Sequence, residues 1–197
     1  MARLMKACLA GALATLALTG CASTRNQVVA CRSPHDVYLA RYINALQLLE
    51  AQAVPTATLI PCVLRLPGGW RYGGWEVRAG LVRFWLDSDR AGVHAVQLTM
   101  KRACDHSSAT PVPLASPPPG LRRFDVSRPH PNASLSYFVF PGACVTYRFA
   151  FTKDSAPSLY DQADHALGFT RRSRYVNGVR KDTGLVLCGA EAPPCPG

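Results

Sequence analysis

Histidine is scarce in this 197-residue chain, with five in all, and none of them sits in an HExxH or other local catalytic signature. GxSxG is absent as well, so the short motifs that mark zinc and serine hydrolases are missing. No two cysteines have CxxC spacing and no histidine lies at zinc-finger distance from two of them, which argues against a structural zinc module. Nor does any pattern call for a cofactor. Acidic residues are few: 12 Asp and Glu against 22 Lys and Arg give a formal charge of +10. Charged residues make up only 17% of the chain beside 48% hydrophobic ones, a balance that excludes disorder throughout. Long apolar runs are lacking too. Residues 7–18 form an uncharged run of 12, short of the roughly 20 needed to span a bilayer as a helix.

What that run does have is a context. It follows the basic Met1-Ala2-Arg3-Leu4-Met5-Lys6, as the apolar region of a secretory signal follows its charged start. It ends in Leu18-Thr19-Gly20-Cys21, which resembles the bacterial lipobox: a Leu and two small residues before a cysteine. The resemblance implies that Cys21 is lipidated and that residues 1–20 are a lipoprotein signal peptide removed just before it. Two acyl chains, at about 0.8 kcal/mol per buried methylene, hold a protein on a membrane where one chain gives reversible binding. An uncleaved anchor helix, or an ordinary secretory signal cut near Ala22, is the competing reading. Residues 21–30 form a short membrane tether of at most about 30 Å.

Loss of residues 1–20 removes Arg3 and Lys6 and leaves 177 residues carrying +8, a length typical of one domain. Arg is common and Lys rare, and the Arg, Ala, Gly and Pro bias resembles that of a GC-rich actinobacterial genome. Export removes nucleic acid from the plausible partners. Membrane lipid through acylated Cys21 is the first partner expected, and anionic headgroups or acidic wall polymers are those the charge admits. Of eight cysteines, Cys8 leaves with the signal and Cys21 is lipidated. The remaining Cys31, Cys62, Cys104, Cys144, Cys188 and Cys195 suit three disulfides outside the cytoplasm, with 15 pairings open. Proximity suggests Cys31–Cys62, Cys104–Cys144 and Cys188–Cys195. Three of the six precede the Pro-rich stretch 107–120 and three follow it, so full pairing requires a bridge across it. That stretch is therefore a loop inside one domain, residues 31–197.

Along that domain, Leu39, Tyr42, Ile43, Leu46, Leu49 and Ala53 recur at helical spacing and predict a helix over 38–53, ended by Val54-Pro55. Strands are expected at 59–66, 75–77, 81–86 and 93–100, with Asp87-Ser88-Asp89-Arg90-Ala91-Gly92 as the turn between the last two. A second pair is expected at 134–140 and 144–151, then a helix over 158–169 and a strand over 184–188. The order does not repeat a βαβ unit, so the expected class is α+β, a single disulfide-stapled domain with an antiparallel sheet and one or two helices.

Candidate chemistry is sparse. His35, His94, His106, His130 and His165 read as surface or packing residues. Asp87 and Asp89 could begin a calcium loop or a glycosyltransferase-type DxD, but the turn accounts for both. Asn132-Ala133-Ser134 fits a glycosylation sequon that carries no weight in a bacterial export. All three tryptophans fall between Trp70 and Trp85. Trp70, Arg71, Tyr72 and Trp75, on a Gly-rich segment, form the candidate ligand-binding group, since aromatic faces beside Arg stack on sugar rings or lie at a lipid interface. The alternative is that Trp75 and Trp85 fill the core and the glycines serve turns. Arg171-Arg172-Ser173-Arg174 reads as a solvated helix exit.

The pattern from Cys62 through Leu86-Asp87-Ser88-Asp89 to Cys104 resembles uncharacterised actinobacterial membrane-associated proteins, which implies location and no activity. The expectation is a lipid-anchored, extracytoplasmic, non-catalytic binding or accessory module of the cell envelope. A cell-envelope hydrolase built on Asp87, Asp89 and His94 is one alternative, and a structural subunit of a membrane protein complex is another.

Overall fold

A computed structural model describes residues 29–30, 40–127, 133–153 and 157–196, with side chains from residue 47 onward. Residues 1–20, read above as a signal peptide, and Cys21, Cys31, His35, His130 and Asn132 lie outside the described residues.

The fold is α+β. Seven strands form a fully antiparallel sheet in the order β3-β4-β5-β9-β8-β7-β6: β3 (Trp70–Arg78), β4 (Leu81–Ser88), β5 (Gly92–Lys101), β6 (Thr110–Val112), β7 (Arg122–Val126), β8 (Ala133–Phe140) and β9 (Ala143–Ala150). A second, three-stranded sheet has the order β1-β10-β2: β1 (Val29–Ala30), β10 (Leu167–Arg171) and β2 (Leu59–Val63). β1 runs parallel to β10, with Val29 beside Gly168, and β2 runs antiparallel to it. The helices are α1 (Ala40–Ala53), α2 (Pro157–Ala166) and α3 (Arg172–Thr183).

Alternation explains how the large sheet buries one face. Val82, Phe84 and Leu86 on β4, Val96, Leu98 and Met100 on β5, and Val145, Tyr147 and Phe149 on β9 all point inward and are buried. Their neighbours in sequence, Arg83, Trp85, Gln97, Thr99 and Arg148, fall on the other face. Leu159, Tyr160 and Ala163 of α2 cover the inner face together with Leu59 of β2, Leu167 and Phe169 of β10 and Val54 after α1. The Phe169 ring lies 5.3 Å from Phe138, and Tyr160 lies 5.3 Å from Phe149. The small sheet has a second apolar side. Ile60 faces Ala51, Tyr175, Val176 and Leu187, so α3 and the C-terminal segment form an outer layer.

The strands expected between residues 59 and 151 are present with longer or shorter ends, and four segments differ. The helix expected over 158–169 stops at Ala166, and Leu167–Arg171 is a strand, because pairing with β2 satisfies backbone groups that the end of a helix leaves open. Residues 172–183 are helical, which brings the number of helices to three, and Gly184 ends α3 at a φ of 75°. The strand expected over 184–188 is therefore not formed. The Pro-rich stretch contributes β6, and β7 follows it.

Arg172 corrects a second expectation. It is not part of a solvated helix exit but 0% exposed, donating from Nη1 to the Ala51 carbonyl at 2.7 Å and from Nη2 to that of Cys188. Cys104 is bonded to Cys144 and Cys188 to Cys195, with Cα separations of 5.8 and 4.7 Å, and Cys62 is also disulfide-bonded. The first bridge crosses the Pro-rich stretch.

Candidate functional site

β3 separates the residues expected to bind together. Trp70 points inward and is buried, its Nε1 donating to Gln162 Oε1 of α2 at 3.3 Å, and Tyr72 points the same way against Phe84. Arg71, between them, lies on the opposite face and pairs with Asp89 at 2.6 Å and Asp87 at 3.8 Å. A bulge between Tyr72 and Gly74 interrupts the alternation, and Trp75 beyond it is 55% exposed. The core therefore takes Trp70 and not Trp75. Trp85 donates from Nε1 to Gln97, with the His94 ring stacked 5.2 Å away and the Arg83 guanidinium at 5.9 Å.

Asp87, Asp89 and His94 do come together, and the contacts close a turn. Asp87 Oδ1 accepts the His94 backbone N–H at 2.7 Å, holding His94 at a φ of 51°. Arg71 neutralises both carboxylates. Among the described residues, no group of three or more His, Cys, Asp or Glu is placed to hold a metal ion.

The more developed site lies elsewhere, where α2 crosses the β6-β7-β8 end of the large sheet. Arg123 and Asp125 are two apart on β7 and both face inward, opposite Phe138 and Ser136 of β8. Arg123 donates from Nε to Asp125 Oδ1 at 2.8 Å, from Nη1 to Asp164 Oδ2 at 2.9 Å and from Nη2 to Ser136 Oγ at 3.3 Å. Its guanidinium also sits 5.3 Å from the centre of the Phe138 ring. The other wall is α2, on which Tyr160, Asp161 and Asp164 share a face at helical spacing. The Tyr147 hydroxyl donates to the Ala163 carbonyl and fixes the helix to the sheet.

These walls enclose a cleft of about 410 Å³ whose lining includes Thr110, Ser134, Phe149, Tyr160, Asp161 and Asp164, with Arg123 and Asp125 on the sheet side. Asp164 is 14% exposed, and its Oδ1 is buried without a hydrogen-bond donor. Burial raises the Asp164 carboxyl above the usual carboxylate range, against the opposing pull of Arg123. Burial alone would lower the Arg123 pKa, but Asp164 and Asp125 outweigh it, so the guanidinium stays charged. Asp161 also borders a shallower depression on the other flank of α2, with Arg65, Pro67, Gln162 and His165.

Sequence reasoning missed this site. Arg123 and Asp125 stood behind a Pro-rich stretch read as a loop, and the usable signal was the i, i+3 pair of Asp161 and Asp164 on a helix that otherwise buries its apolar face. The chain matches no family model, no curated protein sequence and no solved structure.

Proposed function

We propose that this chain is an exported bacterial lipoprotein, held on the membrane through acylated Cys21, whose folded domain is a non-catalytic binding module of the cell envelope. The ligand sits in the cleft between α2 and β6-β7-β8. The observation that carries the reading is the ion pair of Arg123 and Asp164 at the wall of a hydroxyl-lined cavity. A largely buried charge pair is seldom worth more to stability than the apolar packing that could replace it, so its presence beside a cavity points to recognition. A volume of about 410 Å³ suits a small ligand. The address is supported by Leu18-Thr19-Gly20-Cys21 and by the disulfide-bonded cysteines, which belong in an oxidising compartment.

The test is mass spectrometry on the full chain purified from membranes of a lipoprotein-processing host. Denatured protein is expected to begin at Cys21 and carry the mass of a lipid. Native spectra are expected to show a small-molecule adduct that Ser134→Phe, which fills the cleft, removes. An unlipidated product overturns the address, and an adduct equally retained by the variant overturns the cleft.

A further inference from the structure

α3 presents a surface that the cleft does not use. Between Arg171 and Val186 the chain carries five basic residues against one acidic, Asp182, a net +4 of the chain's +10. Arg172 is buried among backbone carbonyls, but Arg171, Arg174, Arg180 and Lys181 are exposed. Arg174, Asn177 and Lys181 recur at helical spacing on the side of α3 away from Tyr175 and Val176, which pack on Ile60. Among the described residues no carboxylate pairs with any of the four exposed cations. Glu191 is turned to the helix itself, its Oε2 accepting the Ser173 backbone N–H at 3.3 Å.

Helix stability accounts for only part of this charge. Arg180 and Lys181 stand at the carbonyl end, where the helix dipole favours a cation. Arg171 and Arg174 stand at the opposite end, whose dipole favours acidic residues, and the first turn of α3 has none. Beyond the helix, Leu185 and Val186 are 52% and 63% exposed. Their position is fixed from both sides. Gly184 closes α3 with its N–H on the Arg180 carbonyl, and Leu187 turns inward against Ile60, next to the bonded Cys188. Two aliphatic side chains are thus held outward directly after a run of exposed cations.

A row of cations attracts any polyanion, whereas exposed aliphatic side chains gain only from an apolar environment. A bilayer with acidic headgroups supplies both, phosphates at its surface and acyl chains just beneath. The proposed anchor leads to the same part of the fold, since β1 pairs with β10 and β10 passes into α3 with no residue between. We infer that the outward side of α3 and the Leu185–Val186 step form a docking surface for an anionic bilayer, an inference that rests on the membrane-anchored reading. Arg171, Arg174, Arg180 and Lys181 meet lipid phosphates, and Leu185 and Val186 enter the boundary of the acyl chains. Docking then fixes which way the anchored domain faces.

The experiment is hydrogen exchange, read by mass spectrometry, on the full chain from a lipoprotein-processing host. The chain is reconstituted in vesicles of phosphatidylcholine alone and of phosphatidylcholine with about one-third phosphatidylglycerol. Residues 184–187 are expected to exchange at least about fivefold more slowly in the anionic vesicles, the scale of one basic side chain at a charged surface. Arg174→Glu with Lys181→Glu, and separately Leu185→Ser with Val186→Ser, alter exposed side chains alone and should each reduce that difference to about twofold or less. Equal exchange in the two vesicles, or protection that survives both pairs of substitutions, overturns the docking surface. Dextran sulfate that protects the segment as strongly as the anionic vesicles, and still does so after Leu185→Ser with Val186→Ser, assigns the surface to an acidic polymer and overturns the bilayer. A chain found to carry no lipid overturns the anchor, and the same comparison with vesicles added to it in solution then decides the docking surface separately.

Discussion

Glu50, near the end of α1, is 1% exposed, and its Oε2 is buried without a hydrogen-bond donor. Burial pushes its carboxyl well above the usual range; burial chiefly, and the Glu50 charge after it, also raises the phenols of Tyr72 on β3 and Tyr175 on α3. The folded protein thus holds the Glu50 proton more tightly than the unfolded chain does. Its favourable contribution is complete below the unfolded carboxyl value of about 4.3 and is lost as pH rises from there through the folded value, at about 1.4 kcal/mol per unit between the two. Asp164, raised by the same cause, acts in the same direction. Urea denaturation at pH 5 and pH 7.5 should show the native chain less stable at the higher pH. Glu50→Gln should shrink that difference and be more stable than the native chain at pH 7.5 by about 1–2 kcal/mol. An unchanged difference between the two pH values would place the titrating group elsewhere.

At the scale of elements, the turn between β8 and β9 meets the segment between α1 and β2. The Pro141 carbonyl accepts from the Thr58 backbone N–H at 3.1 Å, and the Gly142 carbonyl accepts from Thr56 Oγ1 at 2.6 Å. Gly142 has a φ of +79°, and a Cβ on it would collide with the Thr56 backbone carbonyl. Gly142→Ala should therefore lower stability by about 2 kcal/mol or more, combining backbone strain with the broken contact. A thermal midpoint within a degree of the native value would show that the two layers yield freely there. Periodicity made β4, β5, β8 and β9 of the large sheet legible, because each buries one regular face, and it also placed α1. It failed for α3, where Tyr175, Val176 and Val179 are few among polar residues and Gly178 sits mid-helix, so packing on Ile60 decides the conformation. It misread Leu167 and Phe169 because their spacing continues that of α2. Each wall of the cleft had a local pattern, but Arg123 meets Asp164 across 41 residues of sequence, a pairing that only the fold creates.

For the molecule as a whole, the Cys104–Cys144 bond ties the end of β5 to the start of β9 and encloses the Pro-rich stretch, β6, β7 and β8. Closing a loop across a sequence separation of 40 removes unfolded-state freedom worth about 2–4 kcal/mol. Cys104→Ala with Cys144→Ala should cost that much in urea denaturation and make the β6-β7 edge the first region to exchange amide hydrogens. Loss spread evenly over the large sheet would show that this edge is not a separate unit. In the small sheet, Val29 of β1 pairs beside Gly168, four residues beyond Asp164. The proposed anchor at Cys21 would stand eight residues before Val29, within about 30 Å of fully extended chain. If the proposed anchor holds, a domain on so short a leash would sample a thin shell above the bilayer, and a ligand confined to that surface would find the cleft by a search over an area, with encounters far more frequent than the same ligand would make from bulk solution.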